Sequence, residues 1–142
     1  MLSTYRNTST LRSMAKSKLT KMKEISYETK VQVLEEQGNR SITGVYLAPW
    51  NTDFHHIIYR SDSGVGLAFN ICALTKEEHR CVHDHQPIPV NGRIRYSWDE
   101  FNILMKNRKK LRYPHWSEEA CRFHKGWEIK DYWDAINGKR KG

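Results

Sequence analysis

The sequence predicts a single domain of the α+β class, built around two strands followed by a helix. Two dense apolar runs, FHHIIYR at 54–60 and LAFNICAL at 67–74, are typical of strands. Segments on both sides of them repeat apolar residues at helical spacing, so helices are expected to flank a small sheet. The chain of 142 residues suits one domain, which we expect at residues 24–138.

A short amphipathic helix is the first predicted element. Ser26 is suited to cap it, and Gly38 is placed to end it. Tyr27 and Leu34 are seven residues apart and fall on its apolar face. Residues 41–52 are rich in turn formers and lead into the first strand, and SDSGVG is expected to form the loop between the two strands.

A second helix is predicted over residues 76–84, directly after the second strand. Thr75 and Glu78 form a capping box at its start. Helical spacing then puts His79 and His83 on one face, one turn apart.

The C-terminal half is predicted to hold a hairpin and two further helices. Asn91 and Gly92 lie between short β-type runs, which is the strongest local signal for a hairpin. Ser97 and Glu100 form a second capping box, and the helix that they begin ends in the basic run KNRKKLR. Ser117 is expected to begin a last helix rich in aromatic residues.

Positive charge is concentrated at the two ends of the chain. The chain has 24 Lys+Arg against 16 Asp+Glu. Residues 1–23 contain basic residues and no acidic one, and residues 139–142 form a basic tail. We expect residues 1–23 to be a flexible arm that contacts nucleic-acid phosphates. A merely solvated terminus and a mitochondrial transit peptide are the alternatives.

Cysteine usage and hydropathy favour a soluble intracellular protein. Cys72, Cys81 and Cys121 are odd in number and form no CxxC pair, which argues against a disulfide framework. No apolar run approaches the roughly 18 residues of a membrane span. We therefore expect a cytoplasmic protein without a membrane partner.

Five of the seven histidines fall between 55 and 85. A single histidine is usually a core or surface residue, but two imidazoles one turn apart on a helix can share a metal ion. Neighbouring strand residues point to opposite faces, so His55 and His56 are expected to have different tasks. If the helix packs on the face of His55, that residue becomes a third ligand beside His79 and His83. His56 is then free to act as a general base.

The stretch HHIIYRSDSGVGLAFNICALTKEEHRCVH resembles the HNH endonuclease motif, also called the ββα-metal or His-Me finger. Asn70 lies 14 residues after His56, His79 lies 9 after Asn70, and His83 lies 4 after His79. The preceding ISYETKVQVLEEQG resembles the helix that often comes before the motif in phage and bacterial members. The resemblance implies a ββα-metal core at about 53–85 with flanking helices and a short β-hairpin.

The resemblance also implies a metal-dependent endonuclease that hydrolyses DNA phosphodiester bonds. His56 matches the general base, and Asn70 matches the residue that ties down the loop between the strands. His55, His79 and His83 match the ligands of one divalent ion, for which Mg²⁺, Mn²⁺, Ni²⁺ and Zn²⁺ are the candidates. The expected partner is double-stranded DNA in a bacterial or phage-infected cell, with a phage packaging or recombination protein as a further partner.

Several charged residues are candidates for supporting roles. Asp53 is expected to orient a ligand imidazole. Basic residues expected to contact DNA phosphates, with a solvated surface as the alternative, are Arg60, Lys106, Arg108, Lys109, Lys110 and Arg112.

The chain departs from the many family members that carry a zinc ribbon. At the positions of their two CxxC pairs it reads SITG at 41–44 and TKEE at 75–78. We therefore expect no second zinc site, Cys72 and Cys81 to be packing thiols, and the Trp-rich C-terminal region to supply the missing stability. A non-catalytic nucleic-acid-binding module and a structural zinc-binding domain are the alternative functions.

Overall fold

The computed structural model of the chain describes residues 17–139 and has the mixed helix and strand content expected of an α+β domain. In chain order, its helices and strands are α1 (Lys18–Lys23), α2 (Tyr27–Glu36), β1 (Thr52–His56), β2 (Ile71–Thr75), α3 (Lys76–His83), β3 (Ile88–Val90), β4 (Arg93–Tyr96), α4 (Trp98–Arg112) and α5 (Ile129–Ile136). None of the described helices is long and apolar enough to cross a bilayer.

Two antiparallel ladders make up the strand structure. Strands β1 and β2 pair so that His55 lies opposite Cys72. Strands β3 and β4 form the hairpin that the sequence predicts, with Asn91 and Gly92 at φ of 52° and 78°. Both central residues of a type I′ turn need positive φ, which explains why this pair of residues directs the hairpin.

Strand β1 is shorter than the predicted run 54–60. It ends at His56, although Ile57 and Ile58 are also buried. The backbone of Ile58 is hydrogen-bonded to the side chain of Asn70 and not to a strand partner. Residues 68–70 form a 3₁₀ turn, so β2 begins only at Ile71. The apolar pattern identified burial correctly, but burial alone does not require a ladder.

The β1–β2 ladder separates two apolar clusters. On one side, Cys72 and Leu74 belong to the main core with Val82 of α3 and Met105 of α4. On the other side, Ile71 and Ala73 pack with Val33 and Leu47. Because side chains alternate along a strand, each face of the ladder has its own helix to cover it.

A side chain covers the free edge of β2. Gln37, at the C-terminal end of α2, accepts a hydrogen bond from the Ala73 N–H at 2.8 Å and donates one to the Ala73 carbonyl at 3.0 Å. An uncovered edge offers unpaired backbone groups to other chains. The Gln37 amide therefore satisfies part of the edge of this two-stranded ladder.

Part of the N-terminal segment is ordered, which corrects the expectation of a flexible arm over residues 1–23. The chain is helical over Lys18–Lys23, with Ser17 as its N-cap. The Gly66 N–H donates to the Met22 carbonyl at 2.8 Å. A Cβ at Gly66 would lie 2.1 Å from the Glu24 carbonyl oxygen, so only glycine allows this close approach. Residues 1–16 and most of the predicted tail at 139–142 lie outside the described part.

The predicted last helix starts later than expected. The Ser117 hydroxyl accepts a hydrogen bond from Ala120 N–H, but this turn gives only a 3₁₀ segment at 119–121. The backbone takes φ of +87° at Gly126, and α5 begins at Ile129. A glycine in the left-handed region ends helical propagation, which the aromatic pattern does not reveal.

Hydrogen bonds to Glu78 join residues 41–44 to residues 75–78. One Glu78 carboxylate oxygen accepts from the hydroxyls of Ser41, at 3.1 Å, and Thr43. The other oxygen accepts from Thr75 N–H at 2.8 Å. Ser41 and Glu78 are both buried. Tryptophans of the C-terminal region do pack in the core, as expected, but it is Glu78 that links these two segments.

The three cysteines are free thiols. Cys72 and Cys121 are buried, and Cys81 is half-buried. Burial raises the pKa of Cys72 to about 12, so this thiol is protonated at neutral pH. The expected packing role therefore suits Cys72 and, less completely, Cys81.

Candidate functional site

Helix α3 packs on the face of β1 that carries His55. The capping box of Thr75 and Glu78 begins the helix, and His79 follows in its first turn. The imidazole rings of His55 and His79 are 5.3 Å apart between centroids, at 64° to each other. Two histidines 24 positions apart in sequence thus meet where the strand and the helix cross.

Asp53 orients the His79 ring. One carboxylate oxygen lies 3.0 Å from His79 Nδ1, and the other lies 3.0 Å from Lys76 Nζ. Partial burial raises the pKa of Asp53, but the hydrogen bonds to His79 and Lys76 outweigh it, and the net pKa is lowered. An ionised carboxylate only accepts, so His79 Nδ1 carries the proton. In the neutral ring, the Nε2 lone pair of His79 is then available to a metal ion.

His55 is a buried neutral imidazole with an unpartnered nitrogen. Its residue is 5 % exposed. Burial, followed by the charges of His79, His56 and His83, lowers the pKa of His55 to about 3. Its Nε2 atom has no hydrogen-bond partner within residues 17–139. A buried polar atom without a partner is unfavourable, and a bound ion is one of the groups that resolve it.

His83 completes the predicted ligand set only in part. It lies one turn after His79 and is exposed at the end of α3. Its charge lowers the pKa of His55, so the two residues are near enough to interact electrostatically. Within the described range, however, no three His, Cys, Asp or Glu side chains are grouped so as to hold a metal ion. Of the three predicted ligands, the structure brings His55 and His79 into ring contact and does not group His83 with them.

His56 points to the opposite face and is held by a backbone carbonyl. Its Nε2 lies 2.8 Å from the Lys23 carbonyl oxygen. A carbonyl only accepts, so Nε2 is the donor and the neutral ring keeps its lone pair on Nδ1. Burial lowers the pKa of His56, the Lys23 carbonyl raises it, and the charge of Arg60 lowers it further. Arg60 is exposed and close enough to affect this ring.

Asn70 ties down the loop that follows β1. Its side chain is fully buried. The amide oxygen accepts from Ile58 N–H at 2.8 Å, and the amide nitrogen donates to the carbonyls of Ile58, at 3.1 Å, and Val65, at 2.8 Å. One side chain thus fixes both ends of the loop between the histidine pair and β2.

Two aromatic residues near the site have no counterpart among the predicted residues. The Tyr59 ring meets His55 edge-on, with centroids 5.8 Å apart. Trp98 lies close to the Tyr59 hydroxyl, and its Nε1 donates to the Val82 carbonyl at 2.9 Å. The exposed His85 ring stacks on Trp98 at 4.1 Å. No spacing signal in the sequence distinguishes these residues from ordinary core aromatics.

Lys23 was also not among the predicted site residues, because its backbone and not its side chain is used. The sequence signal for this segment is Ser17, a capping residue before Leu19 and Met22 at helical spacing. That pattern indicates that α1 is helical. The Lys23 carbonyl at the end of α1 is the group that contacts His56.

The prediction that the basic residues of α4 contact DNA must be corrected for Lys109. Its side chain is buried, donates to the Ala68 carbonyl at 2.8 Å and lies 3.8 Å from Glu36. Lys109 therefore cannot contact DNA phosphates from this position, and that prediction is wrong. The reason is helical spacing, since Lys109 follows the buried Phe101 and Met105 by eight and four residues.

The other basic residues of α4 are distributed among several partners. Lys106 pairs with Glu118 at 3.3 Å, and Arg112 pairs with Glu36 at 3.3 Å. Lys110 lies over the Trp116 ring, 5.9 Å from its centroid. Arg108 is exposed, and its guanidinium lies 3.4 Å from the Ile42 carbonyl.

Comparison of the chain with family models, with curated proteins and with solved structures gave no match. A function is therefore inferred from the positions and chemistry of the chain's own residues.

Proposed function

We propose that this chain is a metal-dependent endonuclease that hydrolyses phosphodiester bonds of double-stranded DNA by the chemistry of the HNH family. The observation that carries the proposal is the opposite orientation of two neighbouring histidines at the end of β1. His55 faces α3 and meets His79, whereas His56 faces the other way and is held by Lys23. One strand thus separates a group suited to bind a metal ion from a group suited to accept a proton.

His55, His79 and His83 would hold one divalent ion. His55 supports this role through its neutral ring and unpartnered Nε2, and His79 through the carboxylate on its Nδ1. The bound ion would stabilise negative charge on the scissile phosphate and on the departing 3′ oxygen. Binding must bring His83 towards the other two rings, because the three are not grouped as ligands among the described residues.

His56 would accept the proton of the attacking water at Nδ1. The hydrogen bond from Nε2 to the Lys23 carbonyl leaves this nitrogen without a proton and limits rotation of the ring. Arg60, whose charge acts on His56, is suited to bind a phosphate oxygen beside it. The hydroxide formed at His56 would attack phosphorus, and the bond to the 3′ oxygen would break. That oxygen would take a proton from solvent water and leave as a 3′ hydroxyl, so that a 5′ phosphate remains.

A second candidate is a nucleic-acid-binding module that keeps the same fold but cleaves nothing. It is favoured by one observation, the lack of an assembled three-ligand group in residues 17–139. In that case, His55 and His79 would be packing residues, and binding would depend on the basic surface.

Cleavage of a supercoiled plasmid separates the two candidates. The full chain would be assayed with Mg²⁺, Mn²⁺, Ni²⁺ and Zn²⁺ in turn, and with EDTA, beside the variant His79→Ala. His115→Ala is the matched control, since His115 is exposed and outside the site. We expect cleavage with at least one ion, none with EDTA, and a loss of about 10- to 100-fold in His79→Ala only.

One result would decide against the nuclease, and a second would decide against its proposed metal site. DNA binding without cleavage under any of the four ions would establish the binding module instead. Equal cleavage by His79→Ala and His115→Ala would remove His79 from the metal site.

A further inference from the structure

A cavity of about 480 Å³ lies away from the histidine pair, between the end of α2, the loop 40–44 and α4. Three arginines line it: Arg40, Arg108 and Arg112. Its residues come from these three segments and from Cys72 of β2, so no local pattern in the sequence indicates it. None of the histidines of the site lines it.

Backbone carbonyls of one loop hold two of the arginines in place. Arg40 Nη1 donates to the Gly44 carbonyl at 3.0 Å, and Arg108 Nη2 lies 3.4 Å from the Ile42 carbonyl. A guanidinium carries five N–H donors, so each group keeps further donors for a ligand. Both side chains are therefore oriented at the cavity without being saturated.

The charge around the cavity is unbalanced. Glu36 is the one carboxylate that lines it, and it already contacts Lys109 at 3.8 Å, Arg112 at 3.3 Å and the Tyr113 hydroxyl. Over residues 17–139, no carboxylate lies within ion-pair distance of Arg40 or Arg108. A concave site with excess positive charge concentrates anions from solution.

The remaining walls of the cavity are partly apolar. Ile42, Cys72 and Met105 line it beside the arginines. Its volume falls in the range of small-molecule sites and is several times that of a lone phosphate group. The shape and chemistry suit an anion joined to a sugar or a base.

We propose that this cavity binds a phosphate-bearing ligand of nucleotide size, with its phosphate held by Arg40, Arg108 and Arg112. Arginine suits this task because its planar fork can bind two phosphate oxygens at once. The phosphate can belong to a free nucleotide or to a nucleic-acid strand. The proposal does not depend on nuclease activity, since the cavity and the histidine site share no residue.

The test measures binding by the full chain in EDTA, where metal-dependent cleavage is absent. Inorganic phosphate, a deoxynucleoside 5′-monophosphate and a short single-stranded oligonucleotide would be titrated, with calorimetry for affinity. The NMR methyl signals of Ile42 and Met105 would report whether the ligand enters the cavity. The double variant Arg40→Gln/Arg108→Gln would be compared with Arg93→Gln/Arg95→Gln, which removes the same charge from the exposed strand β4.

We expect the cavity variant to bind at least about tenfold more weakly and the β4 variant to bind within about twofold of the unmodified chain. Both variants should keep the melting temperature of the unmodified chain, since all four side chains are exposed. Binding of the mononucleotide would identify a free nucleotide as a ligand. Binding of the oligonucleotide alone, with the same dependence on Arg40 and Arg108, would identify a strand.

The proposal is overturned if none of the three probes binds at millimolar concentration. It is also overturned if both double variants weaken binding equally, because the effect is then one of net charge. Unchanged Ile42 and Met105 signals on saturation would place the ligand elsewhere and would have the same consequence.

Discussion

At the scale of single residues, Asn70 decides the shape of the loop after the histidine pair. Its side chain makes three hydrogen bonds from a fully buried position, two to Ile58 and one to Val65. A buried amide can serve here because it both donates and accepts. No side chain of similar size other than Asn matches this combination of donors and acceptor.

Replacing Asn70 with Asp should therefore destabilise the protein strongly. The substitution removes both N–H donors and leaves a carboxylate facing the carbonyls of Ile58 and Val65. We expect a loss of about 3 kcal/mol in the free energy of unfolding, measured by urea denaturation. Asn107→Asp, on the exposed surface of α4, is the control and should change stability by less than about 0.5 kcal/mol. Equal stability of the two variants would show that the Asn70 hydrogen bonds contribute little.

Among single residues, the sequence predicted the opposite directions of His55 and His56 correctly. Alternation along a strand is a local property, so the opposite directions of His55 and His56 follow from their adjacency. Asn70 was identified only by spacing that resembles a known motif. The partner of His56 could not be predicted, because a backbone carbonyl carries no residue signature.

At the scale of elements, Glu78 joins α3 to the loop at 41–44. It completes the capping box with Thr75 and also accepts from Ser41 and Thr43. One side chain thus fixes the start of the helix that carries His79 and anchors a distant loop to it.

Replacing Glu78 with Gln tests whether the carboxylate has this joining role. Gln offers a single acceptor oxygen, so it cannot accept from Thr75 and from the two loop hydroxyls together. We expect a loss of about 1–2 kcal/mol in the free energy of unfolding by urea denaturation. Glu77→Gln changes the same charge at the neighbouring exposed position and should have almost no effect. If Glu77→Gln destabilises the protein as much, charge in the first turn of α3 is the cause instead.

Local capping patterns predicted where helices begin better than apolar composition did. The boxes at Thr75 and Ser97 begin α3 and α4 as expected. The aromatic C-terminal segment gave the wrong start for α5, because large apolar residues also pack from turns. For the same reason, β1 and β2 are shorter than the apolar runs from which they were predicted.

At the scale of the whole molecule, the candidate site depends on contacts between distant segments. The Lys23 carbonyl lies 33 positions before His56, and the chain around it is fixed by Gly66. The arginine cavity likewise joins residues from α2, a loop and α4. Such contacts depend on how elements pack, so neither was predictable from local sequence.

The net charge of the chain was less informative about the location of a functional site than the positions of its histidines were. The run of basic residues on α4 suggested a surface for DNA, yet one of its lysines is buried against Glu36. A charge run in a helix of this length covers more than one face, and the buried face must pair its charges internally. The positions of individual arginines, and not the net charge, define where anions can bind.

The most direct test of the account compares DNA cleavage and metal affinity in His56→Ala. If His56 accepts the proton and His55 holds the metal, this variant should lose about 100-fold or more in cleavage rate. Its metal affinity, measured by calorimetry, should equal that of the unmodified chain. Cleavage at the unmodified rate, or loss of metal binding together with cleavage, would contradict the separation of the two histidines.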